Sequence, residues 1–252
     1  MKNLKKFLAL ILLSMMLSSV LSGCSDTNKV VMGTNAAFPP FEYTTTDGLV
    51  GEFDGIDVAI AVKIAEKLGK ELQIEDMEFE GLIAAVSTGK VDMVLAGMTA
   101  TDERRQSVDF SDPYFTASQV ILVSSDNTDI LSAEDLKNDK TVGVVLGYTG
   151  DDIVTNTIGV SEDKITRANR SIDMIQDVKN GKLDAAVLDS ATGYDLSEKN
   201  GLKVIEDPEV FESEEYAIAV KKGNTELLNT INEVIREMKE SGELTELAEK
   251  YN

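Results

Sequence analysis

Gly89-Lys90-Val91-Asp92-Met93-Val94-Leu95 and Gly181-Lys182-Leu183-Asp184-Ala185-Ala186-Val187-Leu188 repeat one pattern at two places in the chain. Each copy follows an amphipathic segment. The Gly-Lys pair stops a helix and an apolar strand begins at once, as a short helix-to-strand turn requires. A common connection of this kind accounts for the match as well as an internal duplication does. In either case both strands run into the core and end in polar residues, Gly97-Met98-Thr99 in the first and Asp189 in the second. Ligands of open α/β sheets sit outside the carboxyl ends of strands. A shared site is therefore expected between these two tips.

Outward from the repeat, strand and helix signals alternate. Strands are expected at Lys29 to Thr34, Leu72 to Ile74, Val91 to Gly97, Gln119 to Ser124, Thr141 to Leu146, Ala185 to Leu188 and Tyr216 to Val220. Helices are expected at Ile56 to Leu68, closed by Gly69, and at Gly81 to Thr88, Ser171 to Asn180, Ser190 to Lys199, Thr225 to Lys239 and Glu243 to Tyr251. Thr101-Asp102-Glu103 reads as a helix start, a hydroxyl cap followed by two acids. Such alternation specifies open α/β sheets with helices on both faces.

Composition narrows the chemistry. The 252 residues hold 24 Lys+Arg, 45 Asp+Glu, no His, no Trp and one Cys. Without histidine there is no Ser-His-Asp or Cys-His catalysis and no imidazole metal site, and one cysteine makes neither an internal disulfide nor a thiolate zinc cage. No metal and no cofactor are expected. A formal charge of -21 argues against nucleic acid and against polybasic adsorption to anionic lipid. The length allows one large domain or two lobes of about a hundred residues each.

The N-terminus reads as an export signal. Lys2, Lys5 and Lys6 precede an apolar stretch from Phe7 to Leu21, which ends at Leu21-Ser22-Gly23-Cys24. This ending resembles a bacterial lipobox. The resemblance implies a signal peptide over 1–23, acylation of Cys24 and a linker over 24–28. Cleavage before Cys24 leaves 252 - 23 = 229 residues and removes three lysines, taking the charge from -21 to -24. An exported protein tethered by lipid to the outer face of the cell membrane is the expectation.

Four stretches carry a family resemblance: GTNAAFPPFEY from Gly33, FDGIDVAIAVKIAEKLG from Phe53, AGMTATDERR from Ala96 and VDFSDPYF from Val108. In this order and spacing they resemble the polar amino-acid family of extracytoplasmic solute-binding proteins that serve ABC importers. The resemblance is dense over Val30 to Val123 and thinner beyond. It implies a periplasmic-binding-protein-like fold, two α/β lobes joined by a two-strand hinge, closing on one free amino acid and delivering it to a membrane permease. Lobe one is expected over 29–114 and 217–252, and lobe two over 118–213. A monomer without enzymatic activity is expected. A dehydratase on the same fold is the enzymatic alternative, and it needs a carboxylate such as Glu42 or Glu80 poised as an acid.

Burying an amino acid requires partners for its carboxylate, its ammonium and its side chain. By the family pattern Arg104 takes the carboxylate, for which its planar fork is suited. Thr99 adds a hydroxyl and an N–H, the Gly97 carbonyl accepts from the ammonium, and Asp189 pairs with it. From the residues alone Arg104 reads as an exposed helix residue, which only the motif reverses, and Asp189 reads also as a cap for the helix at Ser190. Thr149 supplies a hydroxyl from lobe two, where the family carries two small hydroxyl residues and this chain has Tyr148 first. Asn35, Phe38, Phe79 and Met98 are expected around the ligand side chain. A neutral amide at Asn35 favours a polar neutral amino acid, with a basic one as the rival.

Overall fold

The computed structural model describes residues 28–251. The expected signal peptide, Cys24 and all of the linker before Asn28 lie outside the described residues. The chain begins with β1 (Lys29–Thr34), then a small sheet of β2 (Ala37–Phe38), β3 (Glu42–Thr44) and β4 (Phe53–Asp54). Next come α1 (Ile56–Leu68), β5 (Glu71–Asp76), α2 (Leu82–Thr88), β6 (Met93–Val94), α3 (Asp102–Arg105) and β7 (Val108–Phe110). The chain then crosses on β8 (Phe115–Ala117) into a second unit. That unit holds β9 (Gln119–Val123), β10 (Val142–Val145), α4 (Thr149–Asp152), β11 (Ile165–Ala168), α5 (Ser171–Lys179), β12 (Ala185–Asp189), α6 (Ser190–Asn200) and β13 (Lys203–Ile205). It returns on β14 (Glu214–Tyr216), and β15 (Ala219–Lys221), α7 (Thr225–Ser241) and α8 (Glu243–Tyr251) complete the first unit.

The two large sheets have matching plans. Their strand orders are β5-β1-β6-β15-β7 and β11-β10-β12-β9-β13. In each, the second strand pairs in parallel with its two neighbours, and the fourth strand is antiparallel. The repeated phrase occupies equivalent places. Gly89 and Gly181 both adopt left-handed backbone, with φ of 79° and 68°, which ends a helix without steric cost. Asp92 Oδ2 then accepts from the Val31 N–H at 2.8 Å, and Asp184 Oδ2 accepts from the Thr141 N–H at 2.7 Å. Each aspartate thus ties its strand to the start of the neighbouring one. The two crossings pair with one another as antiparallel strands, Phe115 opposite Tyr216 and Ala117 opposite Glu214.

Local differences from the sequence reading have physical causes. Val91 to Gly97 is regular strand only at Met93–Val94, because the backbone turns at Gly97 with φ of 52°. Tyr216 to Val220 is not one strand. It divides into β14 in the crossing and β15 in the first sheet, and at the break the Ala217 N–H donates to the Met98 carbonyl at 3.0 Å. A 3₁₀ turn, Phe79–Gly81, leads into the helix that starts at Leu82.

Gly55 fixes how α1 meets the small sheet. Its φ is 124°, and a Cβ there would lie 2.1 Å from the Phe41 carbonyl oxygen. The Ile56 and Asp57 N–H groups donate to the Pro40 and Phe41 carbonyls at 3.1 and 2.9 Å, which brings Asp57 to the wall of β3. Gly55→Ala is expected to cost about 2 to 5 kcal/mol, the sum of backbone strain and overpacking. Urea unfolding checks this, and a loss below about 1 kcal/mol would mean that the turn adapts.

Candidate functional site

The tips of β6 and β12 face one another across the two units, as the strand polarity demands. Behind the β6 tip lies Asp57, fully buried, whose Oδ2 accepts from the Gly97 N–H at 2.9 Å and from the Tyr114 hydroxyl at 2.8 Å. Glu42 on β3 is buried beside it, and no donor of another residue reaches either Glu42 oxygen or Asp57 Oδ1. Burial and the Asp57 charge push Glu42 well above the carboxylate range, and burial pushes Asp57 up to about 6. Two facing buried carboxyls hold a proton between them, since neither tolerates a second bare charge.

Arg104 reaches the same place from α3. The Thr101 hydroxyl accepts from the Arg104 N–H at 3.2 Å, the cap expected at this position. Its guanidinium donates to the Thr99 carbonyl at 2.7 Å and, across the cleft, to the Gly147 carbonyl at 2.9 Å. It also lies 5.1 Å over the Phe79 ring. Desolvation lowers its pKa, and the charges of Asp189 and Glu214 act against that shift. These contacts place Arg104 in the cleft rather than on an exposed helix face.

Asp189 ends β12 and is 3% exposed. It stands at the N-cap of α6, yet its side chain makes no capping bond. Instead its Oδ1 accepts from the Tyr216 hydroxyl at 2.6 Å. Burial, reinforced by the Glu214 charge, pushes it up to about 7, while Tyr216 and Gln119 pull the other way. Asp189 acts on the Arg104 charge but accepts from a neutral hydroxyl, and a ligand cation that reached it in this dry site would be favoured.

Six of the nine ligand positions expected from the sequence, Phe79, Gly97, Thr99, Arg104, Thr149 and Asp189, line one cavity of about 10 Å³ together with Tyr148. Asn35, Phe38 and Met98 stand behind this wall. Asn35 is buried and donates to the Met77 carbonyl at 2.9 Å, Met98 is packed in the core, and Phe38 abuts Gly97 so closely that a Cβ on the glycine would come within 2.4 Å of the ring. Tyr148 explains the small volume. Its ring meets Phe79 edge-on at 4.4 Å and Phe38 at 5.4 Å between centroids, and its buried hydroxyl has no partner. Outside it a wider cleft of about 720 Å³ runs between the two units past Glu80, Asp102, Asp151 and Arg167. Glu80 is exposed at this mouth, whereas Glu42 is buried.

Two participants were not legible in the sequence. Glu214 on the return crossing accepts from the Thr99 hydroxyl at 2.7 Å and from the Thr149 hydroxyl at 2.8 Å. Gln119 donates to the Thr149 oxygen at 3.1 Å. Glu214 sits in the acidic run Glu212-Ser213-Glu214-Glu215, which by pattern alone reads as a solvated edge. Further bonds join the units at the cleft lip, from the Ser171 hydroxyl to the Ala37 carbonyl at 2.7 Å and between Arg170 and Asp76 at 3.1 Å.

This architecture, with two like α/β units and a polar seam at their strand tips, is that of a solute-binding protein. The family model for bacterial extracellular solute-binding proteins, family 3, matches residues 30–252, and the chain belongs to that family. It is 37% identical over 260 residues to the arginine-binding extracellular protein ArtP of Bacillus subtilis (strain 168), an alignment covering 98% of each protein. Among solved structures it resembles an ancestral arginine-binding protein bound to glutamine, with 40% identity, a TM-score of 0.80 and coverage of 89% of this chain and 97% of that one. It also resembles an ancestral amino acid-binding protein described as a precursor of cyclohexadienyl dehydratase, with 35% identity, a TM-score of 0.81 and coverage of 90% and 96%. Membership of an extracellular family makes this an exported protein. Among the described residues no helix is long and apolar enough to cross a membrane.

The Asp189 carboxyl gives a pH signature. Its pKa is about 7 in the folded chain against 3.8 in the unfolded one, so the folded state binds the proton more tightly. The contribution to stability is complete below about pH 4 and is lost as pH rises through 7, at up to about 1.4 kcal/mol per unit. Asp57 and Glu42 act in the same sense. Comparing denaturation of the wild type with that of Asp189→Asn from pH 4 to 8 isolates the Asp189 part. The variant is expected to lose less stability over that range, and parallel curves would contradict a raised Asp189.

Proposed function

We propose that this protein binds a free polar amino acid outside the cytoplasm, a basic one in preference, and passes it to an ABC-type permease without chemical change. The observation that carries this reading is the convergence of Arg104 and Asp189, from opposite units, on one cavity. A guanidinium and a carboxylate so disposed match the carboxylate and ammonium of an α-amino acid, and a ligand engaging both holds the units together. On this reading lobe one is 29–114 with 217–252, lobe two is 118–213, and the paired crossings are the hinge of a monomeric clamshell. Affinity then rises with pH through about 7, as Asp189 gives up its proton to meet the ammonium.

The preference for a basic side chain departs from the sequence reading. Asn35, the residue that favours a neutral ligand, has its amide nitrogen engaged by the Met77 carbonyl and is buried behind the cavity wall. Around the cavity Asp189, Glu214 and the proton-sharing Glu42–Asp57 pair outnumber Arg104, so a ligand bringing a second positive charge offsets more of the buried acid. The relatives named above for arginine agree with this preference. Titration calorimetry of the protein against the twenty common amino acids tests it. Tight binding of arginine or lysine is expected; binding of neutral amino acids alone would refute the preference, and binding of none would refute the function. Analysis of the ligand after incubation should return it unchanged, whereas appearance of a product would favour the dehydratase alternative.

Tyr148 now fills the space between Phe38 and Phe79, so a long side chain has to displace it. Giving up two aromatic pairs costs about 1 to 3 kcal/mol. Tyr148→Ser is therefore expected to raise arginine affinity by about 5- to 150-fold. A drop of more than about threefold would mean that the ring is a contact wall for the ligand instead.

Lipid attachment at Cys24 is part of the same proposal. Cys24→Ser should release the protein from the membrane fraction with ligand affinity unchanged, and retention of the variant would exclude an anchor at that residue.

A further inference from the structure

Glu42 and Asp57 are fully buried, and the binding scheme above uses neither. The backbone clamps them together, because the Asp57 N–H donates to the Phe41 carbonyl at 2.9 Å, one residue from Glu42. The oxygens of Asp57 have different surroundings. Oδ2 takes two donors, the Gly97 N–H at 2.9 Å and the Tyr114 hydroxyl at 2.8 Å, whereas Oδ1 and both Glu42 oxygens have no donor from another residue. The charges that act on Glu42 are those of Asp57 on α1, Asp189 on β12 and Asp76 on β5, all negative, and burial keeps the Tyr114 phenol neutral. No cation among them offsets a second bare charge, so one proton stays with the pair. The two donors on Oδ2 favour the charge on Asp57. Glu42, with none, is the better seat for the proton, and a protonated carboxyl has an O–H to give.

We propose that Asp57 is a positioning residue whose charged carboxylate ties the Gly97 turn and the start of the first crossing to α1, and that Glu42 is a neutral acid donating its O–H to Asp57 Oδ1. Tyr114 immediately precedes β8, and its N–H donates to the Tyr216 carbonyl on the other crossing at 2.9 Å. The Thr99 carbonyl that holds Arg104 at 2.7 Å lies two residues beyond Gly97. One carboxylate thus keeps the lobe-one wall of the cleft in register with both crossings. The consequence for ligand affinity rests on the amino-acid reading above, and the proton assignment does not.

Infrared spectroscopy without ligand tests the assignment. At about pH 8.5, above the Asp189 range, the wild type minus Glu42→Gln difference spectrum should show a protonated-carboxyl band that shifts when glutamate carboxyls carry carbon-13. Absence of the band, or a shift only with labelled aspartate, would overturn it. Melting gives a second arm. Glu42 binds its proton more tightly folded than unfolded, so its contribution is lost as pH rises, whereas a glutamine amide donates at any pH. The Tm of Glu42→Gln minus that of wild type should therefore become more positive from about pH 5 to about pH 9, and a constant difference would count against the neutral acid. Calorimetry with L-arginine tests the positioning role. Glu42→Leu and Tyr114→Phe, which remove a donor from Asp57, should each weaken binding about 3- to 30-fold, and Glu42→Gln should stay within about threefold of wild type. Unchanged binding in both donor-deleting variants, or equal loss in Glu42→Gln and Glu42→Leu, would reduce the pair to packing and overturn the role. Binding of no amino acid by the wild type would refute the functional reading and leave the proton assignment to the first two measurements.

Discussion

A carboxylate removed from water must find a cation, a donor or a proton; here Asp189 and Glu214 act on the guanidinium of Arg104, and Glu42 and Asp57 are buried behind the β6 tip. Each acid meets the demand differently. Glu42 and Asp57 share a proton, and Asp57 in addition anchors the Gly97 turn and the Tyr114 hydroxyl. Glu214 is solvated by two threonines and a glutamine, and Asp189 has one tyrosine hydroxyl. Asp189 lies on the lobe opposite Arg104. The arrangement is stable as built, and it is stabilised further by a ligand that carries the missing charge.

The backbone places these groups at small cost. Matching sheets present matching strand tips, and the paired crossings join the two units. Contacts across the seam include short polar bonds and Tyr148 edge-on against Phe38 and Phe79.

Much of this was legible in the sequence. The Gly-Lys-x-Asp phrase marked two equivalent strands because a left-handed glycine and a capping aspartate are local requirements, visible wherever they recur. Arg104, Thr99 and Asp189 were legible through motif and position at strand ends. The role of Glu214 was hidden, because its partners lie 115 and 65 positions away and its neighbours are exposed acids. Strand β15 was misjoined to β14 for a related reason. One apolar run, Tyr216 to Val220, serves two sheets, and periodicity cannot show where a strand changes partners. Tyr148 was read as a departure from the family pattern, but the space its ring fills is defined by two phenylalanines of the other lobe.

On the proposed reading the two charged ends of one amino acid are divided between the lobes. A crystal structure of the protein with L-arginine bound tests this most directly. The ligand carboxylate should lie within hydrogen-bond distance of the Arg104 guanidinium, about 2.7 to 3.2 Å, and the ammonium at similar distance from Asp189. A ligand with both charged ends on one lobe, or with its ammonium away from Asp189, would contradict it.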